Sequence, residues 1–213
     1  MKTLISLIFM FFCFCLYSQN EDFLGKDTLV LIDGNLITNI EFVEIKNDTI
    51  IYNKFKKKKV KQKIILKYDV FAILDEYGQE TVIYEQNDSL GLEFTEEEMR
   101  FYLDGLANGW DTYNNYFIFL PGFLLSGASV LNFNPTTGII VPILYPTAVF
   151  LFNPKIDNNP NIPEIYRDNK HYKLGYRDAA RGKKNRSAVY GSIAGYASFM
   201  IGKVIFHFLS DDK

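Results

Sequence analysis

The sequence predicts an α+β protein in which a small antiparallel, barrel-like β domain precedes a membrane-type helical hairpin and a C-terminal helix. Three observations carry that reading. Short β-rich runs alternate with turn residues over 26–85, no charged residue falls between Asp111 and Lys155, and a pattern that begins at Tyr102 returns at Tyr172 ahead of another apolar run. The expected organisation is an export signal at 1–19, the β domain at 26–85 and a helical, membrane-associated region at 95–210 that holds two repeat units, 98–152 and 168–209.

The first residues have the three parts of a signal peptide. Lys2 supplies the positive start, residues 4–16 form the apolar stretch, and Tyr17-Ser18-Gln19 leads into Glu21 and Asp22. The apolar stretch is short of the ~20 residues of a spanning helix, so cleavage near Ser18 or Gln19 is expected, with the protein exported to the bacterial cell envelope. Cys13 and Cys15 are the only cysteines and both lie in that segment, leaving no thiol for a disulfide or a thiolate metal site. Phe12 and Phe14 precede them, bulky where a lipoprotein signal requires small residues. A formal net charge of -2 provides no global basic field, and no nucleic-acid partner is expected.

Residues 28–32, 36–45, 49–55, 63–74 and 81–84 read as five strands separated by Asp33-Gly34-Asn35, Lys46-Asn47-Asp48, a lysine-rich excursion and Tyr77-Gly78. The alternation slips at Phe42-Val43, which predicts a bulge. The order strand, Asp-Gly turn, long bent strand, Asn-Asp turn, strand resembles the SH3-like or Sm-like barrels over Asp33-Gly34-Asn35 and 40–51, a resemblance of fold only. In the excursion, Lys54, Lys56, Lys57, Lys58, Lys59, Lys61 and Lys63 crowd together. Lys56, Lys57, Lys58 and Lys59 are candidate contacts for anionic lipid, at about 1 kcal/mol each near a charged leaflet. The plainer alternative is a solvated tip or an edge strand protected from aggregation.

Residues 116–133 and 139–152 are apolar and flank Asn134-Pro135-Thr136-Thr137-Gly138, as in a helical hairpin. A third apolar run at 188–209 carries only Lys203, whose long side chain can reach the membrane interface. Gly191, Gly195, Ser198 and Gly202 share one helical face of that run, and Gly122, Ser126 and Ser129 share one in the first. Small residues on a face let helices approach closely in lipid, so helix packing within the chain is expected, with self-assembly or a protein partner as the alternative use. Arg181, Lys183, Lys184 and Arg186 precede the last run and are further candidates for anionic-lipid contact. By the positive-inside rule the loop 155–186 would face the cytoplasm, whereas two crossings after an exported β domain put it outside.

Tyr102, Gly105, Asn108 and Gly109 recur in spacing as Tyr172, Gly175, Asp178 and Ala179, each set followed by an apolar run. Thr95 and Glu98 form a capping-box pair ahead of the first set, and Gly105 and Gly109 lie one turn apart. These residues, with Asp33-Gly34, resemble an uncharacterised family of exported Gram-negative envelope proteins that join a signal ending near Ser-Gln, a small β domain and paired Tyr-x-x-Gly-x-x-Asp-Ala helices. The resemblance implies location and layout and no activity. The first set departs from it by carrying Asn108-Gly109 in place of Asp-Ala.

Catalytic motifs are absent from the sequence. The two histidines, His171 and His207, stand far apart without cysteine partners, no glycine-rich phosphate loop follows a strand, and no Ser-His-acid set is evident. No cofactor and no metal are expected. The reading is a non-catalytic membrane-associated envelope protein whose β domain binds a partner or ligand while its helices hold it to lipid. The alternatives are an envelope-modifying enzyme using Asp104, Asp111 or Asp178, and a soluble periplasmic binding protein with buried apolar helices.

Overall fold

The computed structural model describes residues 27–56, 59–156 and 162–211, leaving aside the side chains of 135–136 and 207–211. The predicted signal at 1–19, Lys57, Lys58 and the side chain of His207 lie outside the described residues. Two compact units divide the chain, one holding Asn35–Tyr84 with β1, the other Ile32–Gly34 and the residues from Glu85 onward.

The first unit is a six-stranded antiparallel sheet of β1 (Asp27–Leu31), β2 (Leu36–Lys46), β3 (Thr49–Lys56), β4 (Lys59–Leu66), β5 (Val70–Leu74) and β6 (Glu80–Val82). Their order is β4-β3-β2-β1-β5-β6. The sheet stays open, in contrast to the barrel-like closure expected from the meander. The three-residue β6 occupies the side of β5 that closure would have offered to β4.

Alternating apolar residues on one face build the core: Leu29, Ile40, Ile50, Tyr52, Val70 and Ile73, with Phe42 and Ile65 packed against them. β2 is bent twice. Pairing with β3 steps from Phe42↔Tyr52 to Glu44↔Ile51, so Val43 is the extra residue of a bulge. Pairing with β1 is irregular between Asp27↔Ile40 and Leu29↔Ile37, where Asn39 takes a φ of 62° and Asp27 accepts a hydrogen bond from the Phe42 amide at 2.8 Å. The lysine-rich run expected as an excursion is strand instead. Lys59, Lys61 and Lys63 alternate with Val60, Gln62 and Ile64, the period of two that a strand requires, and β4 pairs with β3 throughout. The predicted long strand at 63–74 is accordingly two strands, divided by the 3-10 turn Lys67–Asp69.

In the second unit, four helices exceed one turn among the described residues: α1 (Glu96–Thr112), α2 (Tyr116–Asn132), α3 (Ile140–Phe150) and α4 (Lys170–Asp211). Thr95 caps α1 through the reciprocal pair that the sequence indicates. Its hydroxyl accepts from the Glu98 amide at 3.3 Å while the Glu98 carboxylate accepts from the Thr95 amide at 3.0 Å. The bond from the Thr95 amide first, then the nearby His171, holds the Glu98 carboxyl below its usual range. The chain bends by 52° between α1 and α2 at Tyr113–Asn115, whereas α4 runs unbroken for 42 residues, about 63 Å at 1.5 Å per residue. Residues 170–186, expected within the loop 155–186, are thus the first part of one helix that continues through the apolar run.

Thr95→Ala removes the cap and is expected to lower stability by about 1 kcal/mol in thermal or denaturant unfolding. Glu98→Gln retains a reciprocal acceptor and should cost less.

Candidate functional site: the seam along the long helix

Three helices of the second unit meet α4 along one seam, and glycine sets how close they come. A Cβ built on Gly105 would lie 2.9 Å from the Tyr176 amide nitrogen and closer still to the Tyr172 carbonyl oxygen. One built on Gly175 would lie 3.0 Å from the Leu106 amide and inside contact distance of the Tyr102 carbonyl oxygen. The two approaches mirror each other: each glycine faces the carbonyl of the tyrosine that precedes the other. One turn on, a Cβ at Gly109 would meet Ala179 Cβ at 2.7 Å. Along α2 the roles pass to α4, whose Gly191 and Gly195 lie against the backbone of Phe119 and Phe123, while Gly122 faces the Ser192 amide. Gly202, grouped with these by spacing, meets nothing within 4 Å.

The same mirror relation governs the polar side chains. The Tyr102 hydroxyl donates to Asp178 Oδ2 at 3.1 Å, and the Asn108 amide donates to the Tyr172 hydroxyl. Thr112 and Tyr176 share a hydrogen bond of 3.0 Å between their hydroxyls, and Asn115 donates to Ser187. Burial first, then the Asp178 carboxylate, pushes the Tyr102 phenol up to about 12. Asp178 is therefore held as an acceptor in a helix contact. Asp104 and Asp111 are exposed on α1. Among the described residues no group of three or more His, Cys, Asp or Glu side chains is placed to hold a metal ion. His171 lies 3.4 Å from Glu98 and edge-on to Phe94.

Three lysines of α4 close the ends of the three helices beside it, a feature that sequence spacing does not reveal. Lys183 donates to the Trp110 carbonyl at 2.6 Å, at the last turn of α1. Lys184, only 4% exposed, donates to the carbonyls of Val149, at 2.7 Å, and of Phe152, at the end of α3. Lys203 donates to the Val130 carbonyl at 2.9 Å, near the end of α2. The last carbonyls of a helix lack intrahelical partners and carry the negative end of its dipole, so an ammonium there satisfies both. Burial lowers the Lys184 pKa. Of the residues the sequence offered for anionic-lipid contact, Lys183 and Lys184 are engaged in this way and Arg186 lies over the Trp110 ring at 5.3 Å. Arg181 is exposed, and Lys56 and Lys59 face each other across β3 and β4.

These contacts give the helices a common level. Ser129 donates to the Gly138 carbonyl at 2.9 Å, joining the end of α2 to the turn before α3, and Lys184 joins the end of α3 to α4 three residues before Ser187. α3 therefore returns to the level at which α2 begins. No family model, no curated protein and no solved structure matches this chain.

Gly105→Ala and Gly175→Ala should each destabilise the helical unit by about 2 kcal/mol or more, because the methyl group meets backbone that cannot move aside. Gly202→Ala, where the added methyl group meets nothing within 4 Å, should instead raise stability by up to about 1 kcal/mol. Denaturant unfolding of the three variants checks the contrast. Tyr102 ionises less readily folded than unfolded, so its contribution is complete below pH about 10 and is lost as pH rises through about 12. Asp178→Asn should make that alkaline loss shallower in unfolding curves taken across this window.

Proposed function

We propose that this chain is a non-catalytic, membrane-embedded protein of the bacterial cell envelope, delivered by its N-terminal signal, in which α2, α3 and the apolar part of α4 lie in the bilayer. A single observation carries the reading: these helices turn their apolar side chains outward. Phe117, Leu120, Leu124, Leu125, Ile143 and Leu144 are all exposed, and the most apolar window of α4 is only 17% buried. A core helix of a soluble protein buries such a face.

The lengths of α2 and of the apolar part of α4 approach that of a bilayer core, while α3, at 11 residues, is shorter. From Ser187 to Lys203 α4 rises about 24 Å, and the 17 residues of α2 rise about 25 Å, against a hydrocarbon core of about 30 Å. A slab on the thin side is accommodated by local thinning and by lysines reaching the interface, and the bacterial outer membrane is thinner than average. Trp110, Tyr113 and Tyr116 fall near the end of the slab where Lys183 and Arg186 lie, as in an aromatic belt. The return of α3 favours a hairpin crossing twice, which keeps the charged first part of α4 on the side of α1. With Lys183 and Lys184 engaged by helix ends, fewer free cations oppose an external position for that part of α4. The paired Tyr-Gly faces support the proposed kinship with exported envelope proteins of this layout. The twice-bent β2 and the return of β5 to β1 support an SH3-like origin for the β unit, which would recruit a partner or ligand.

Fractionation of cells expressing the full chain tests the reading. The protein should pellet with membranes, resist carbonate and high salt, and enter solution only with detergent. Recovery as a monomer in the detergent-free periplasmic fraction would falsify the proposal.

A further inference from the structure

The ribbon formed by β3 and β4 has two unlike faces. Lys54 stands opposite Lys61, Lys56 opposite Lys59, and Lys63 opposite Tyr52. Directly opposed residues of an antiparallel pair point to the same side, so all five lysines share one face, about 5 Å apart across the ribbon and about 7 Å along it. They line a shallow cleft of about 270 Å³. On the other face Phe55 pairs with Val60, Ile51 with Ile64 and Thr49 with Leu66, and Val60, Ile64 and Leu66 are 57%, 67% and 50% exposed.

Edge protection does not account for this pattern. Lys54 is on β3, which is internal to the sheet and pairs there with the buried Ile40. The lysine face also continues the core face, since Ile50 and Tyr52 precede Lys54 and Lys56 in the same alternation. One inward charge deters edge pairing, and like charges set directly opposite one another are destabilising. Among the described residues no ion pair involves any of the five.

We propose that the β3–β4 ribbon lies on the interface of an anionic phospholipid bilayer, with Val60, Ile64 and Leu66 at the acyl boundary and the five ammonium groups among the headgroup phosphates. The proposal deepens the membrane reading above and rests on it. A strongly cationic face backed by an apolar one is the arrangement of interfacial elements, whose affinity adds buried apolar area to attraction for anionic lipid. The lysine stems are long enough to carry their charges past the ribbon's edge. The edge strand β4 supplies the exposed apolar residues, while the acids of that side, Glu41 and Glu44, are on β2, further in. The cations are all lysines with no arginine among them, point charges suited to a diffuse phosphate layer rather than to bidentate recognition of bases. The lysine face presents no exposed aromatic on which a base could stack, since Tyr52 is buried.

The test is amine acylation of the full-length chain in nanodiscs of phosphatidylcholine alone and of phosphatidylcholine with phosphatidylglycerol, with Lys170, exposed at the polar start of α4, as the internal reference. Phosphatidylglycerol should slow labelling of Lys54, Lys56, Lys59, Lys61 and Lys63 several-fold, high salt should restore it, and Ile64→Asp should reduce the protection without unfolding the sheet. Each lysine changed to Gln should weaken association about fivefold, the equivalent of about 1 kcal/mol. Equal labelling in the two lipids, full protection retained by Ile64→Asp, or equal protection by a DNA duplex added to phosphatidylcholine discs would each overturn the proposal. Failure of the chain to enter discs of either lipid counts against the membrane reading alone. The ribbon is then read from sedimentation of the free chain with phosphatidylglycerol vesicles, where binding supports the proposal and its absence refutes it.

Discussion

Backbone approaching backbone is the constraint on which the helical unit depends. At Gly105, Gly175, Gly191 and Gly195 the neighbouring main chain occupies the space a methyl group would need. Close approach of this type brings many weak dispersion contacts into range at once, and it does so without relying on water to drive apolar groups together. It also explains the polar neighbours. Once α1 and α4 are so near, Tyr102 and Tyr172 extend across the seam to Asp178 and Asn108, and each hydroxyl finds a partner on the opposite helix.

The lysines of α4 solve a second problem created by that packing. A helix that ends beside apolar side chains leaves carbonyls without partners, at a cost that grows as water is excluded. Lys183, Lys184 and Lys203 reach three such ends from a single helix. One long element therefore supplies both the surface on which the others pack and the donors that complete their termini. Ser126 and Ser192, fully buried in the same region, keep hydroxyls without a partner among the described residues, and Asn185 Oδ1 is likewise unsatisfied.

Local chemistry was legible in the sequence, and long-range relations were legible only in part. The Thr95–Glu98 cap, the bulge at Val43, the turn at Gly34 and the glycine faces at 105, 175, 191 and 195 follow from spacing and backbone preference, which act over a few residues. The β3–β4 ribbon was obscured because lysine is a poor indicator of strand and its alternation with Val60 and Ile64 is easily read as a charged loop. The continuity of α4 was hidden by a change of solvent preference along it, from charged to apolar, with no breaker at the change. Spacing alone overextended the packing face to Gly202, where no neighbour arrives. Lysine capping across more than thirty residues has no local signature, so Lys183 and Lys184 looked like free surface charge.

The break at Tyr113–Asn115 on one side of the seam and its absence on the other give the helical unit an uneven compliance. α4 contains no proline and its hydrogen-bond ladder runs through both its charged and its apolar halves. Tilting one end of such a rod displaces the other by a proportional amount, as a lever does. The three-residue elbow between α1 and α2 lets those two helices take different directions while both stay against that one rod.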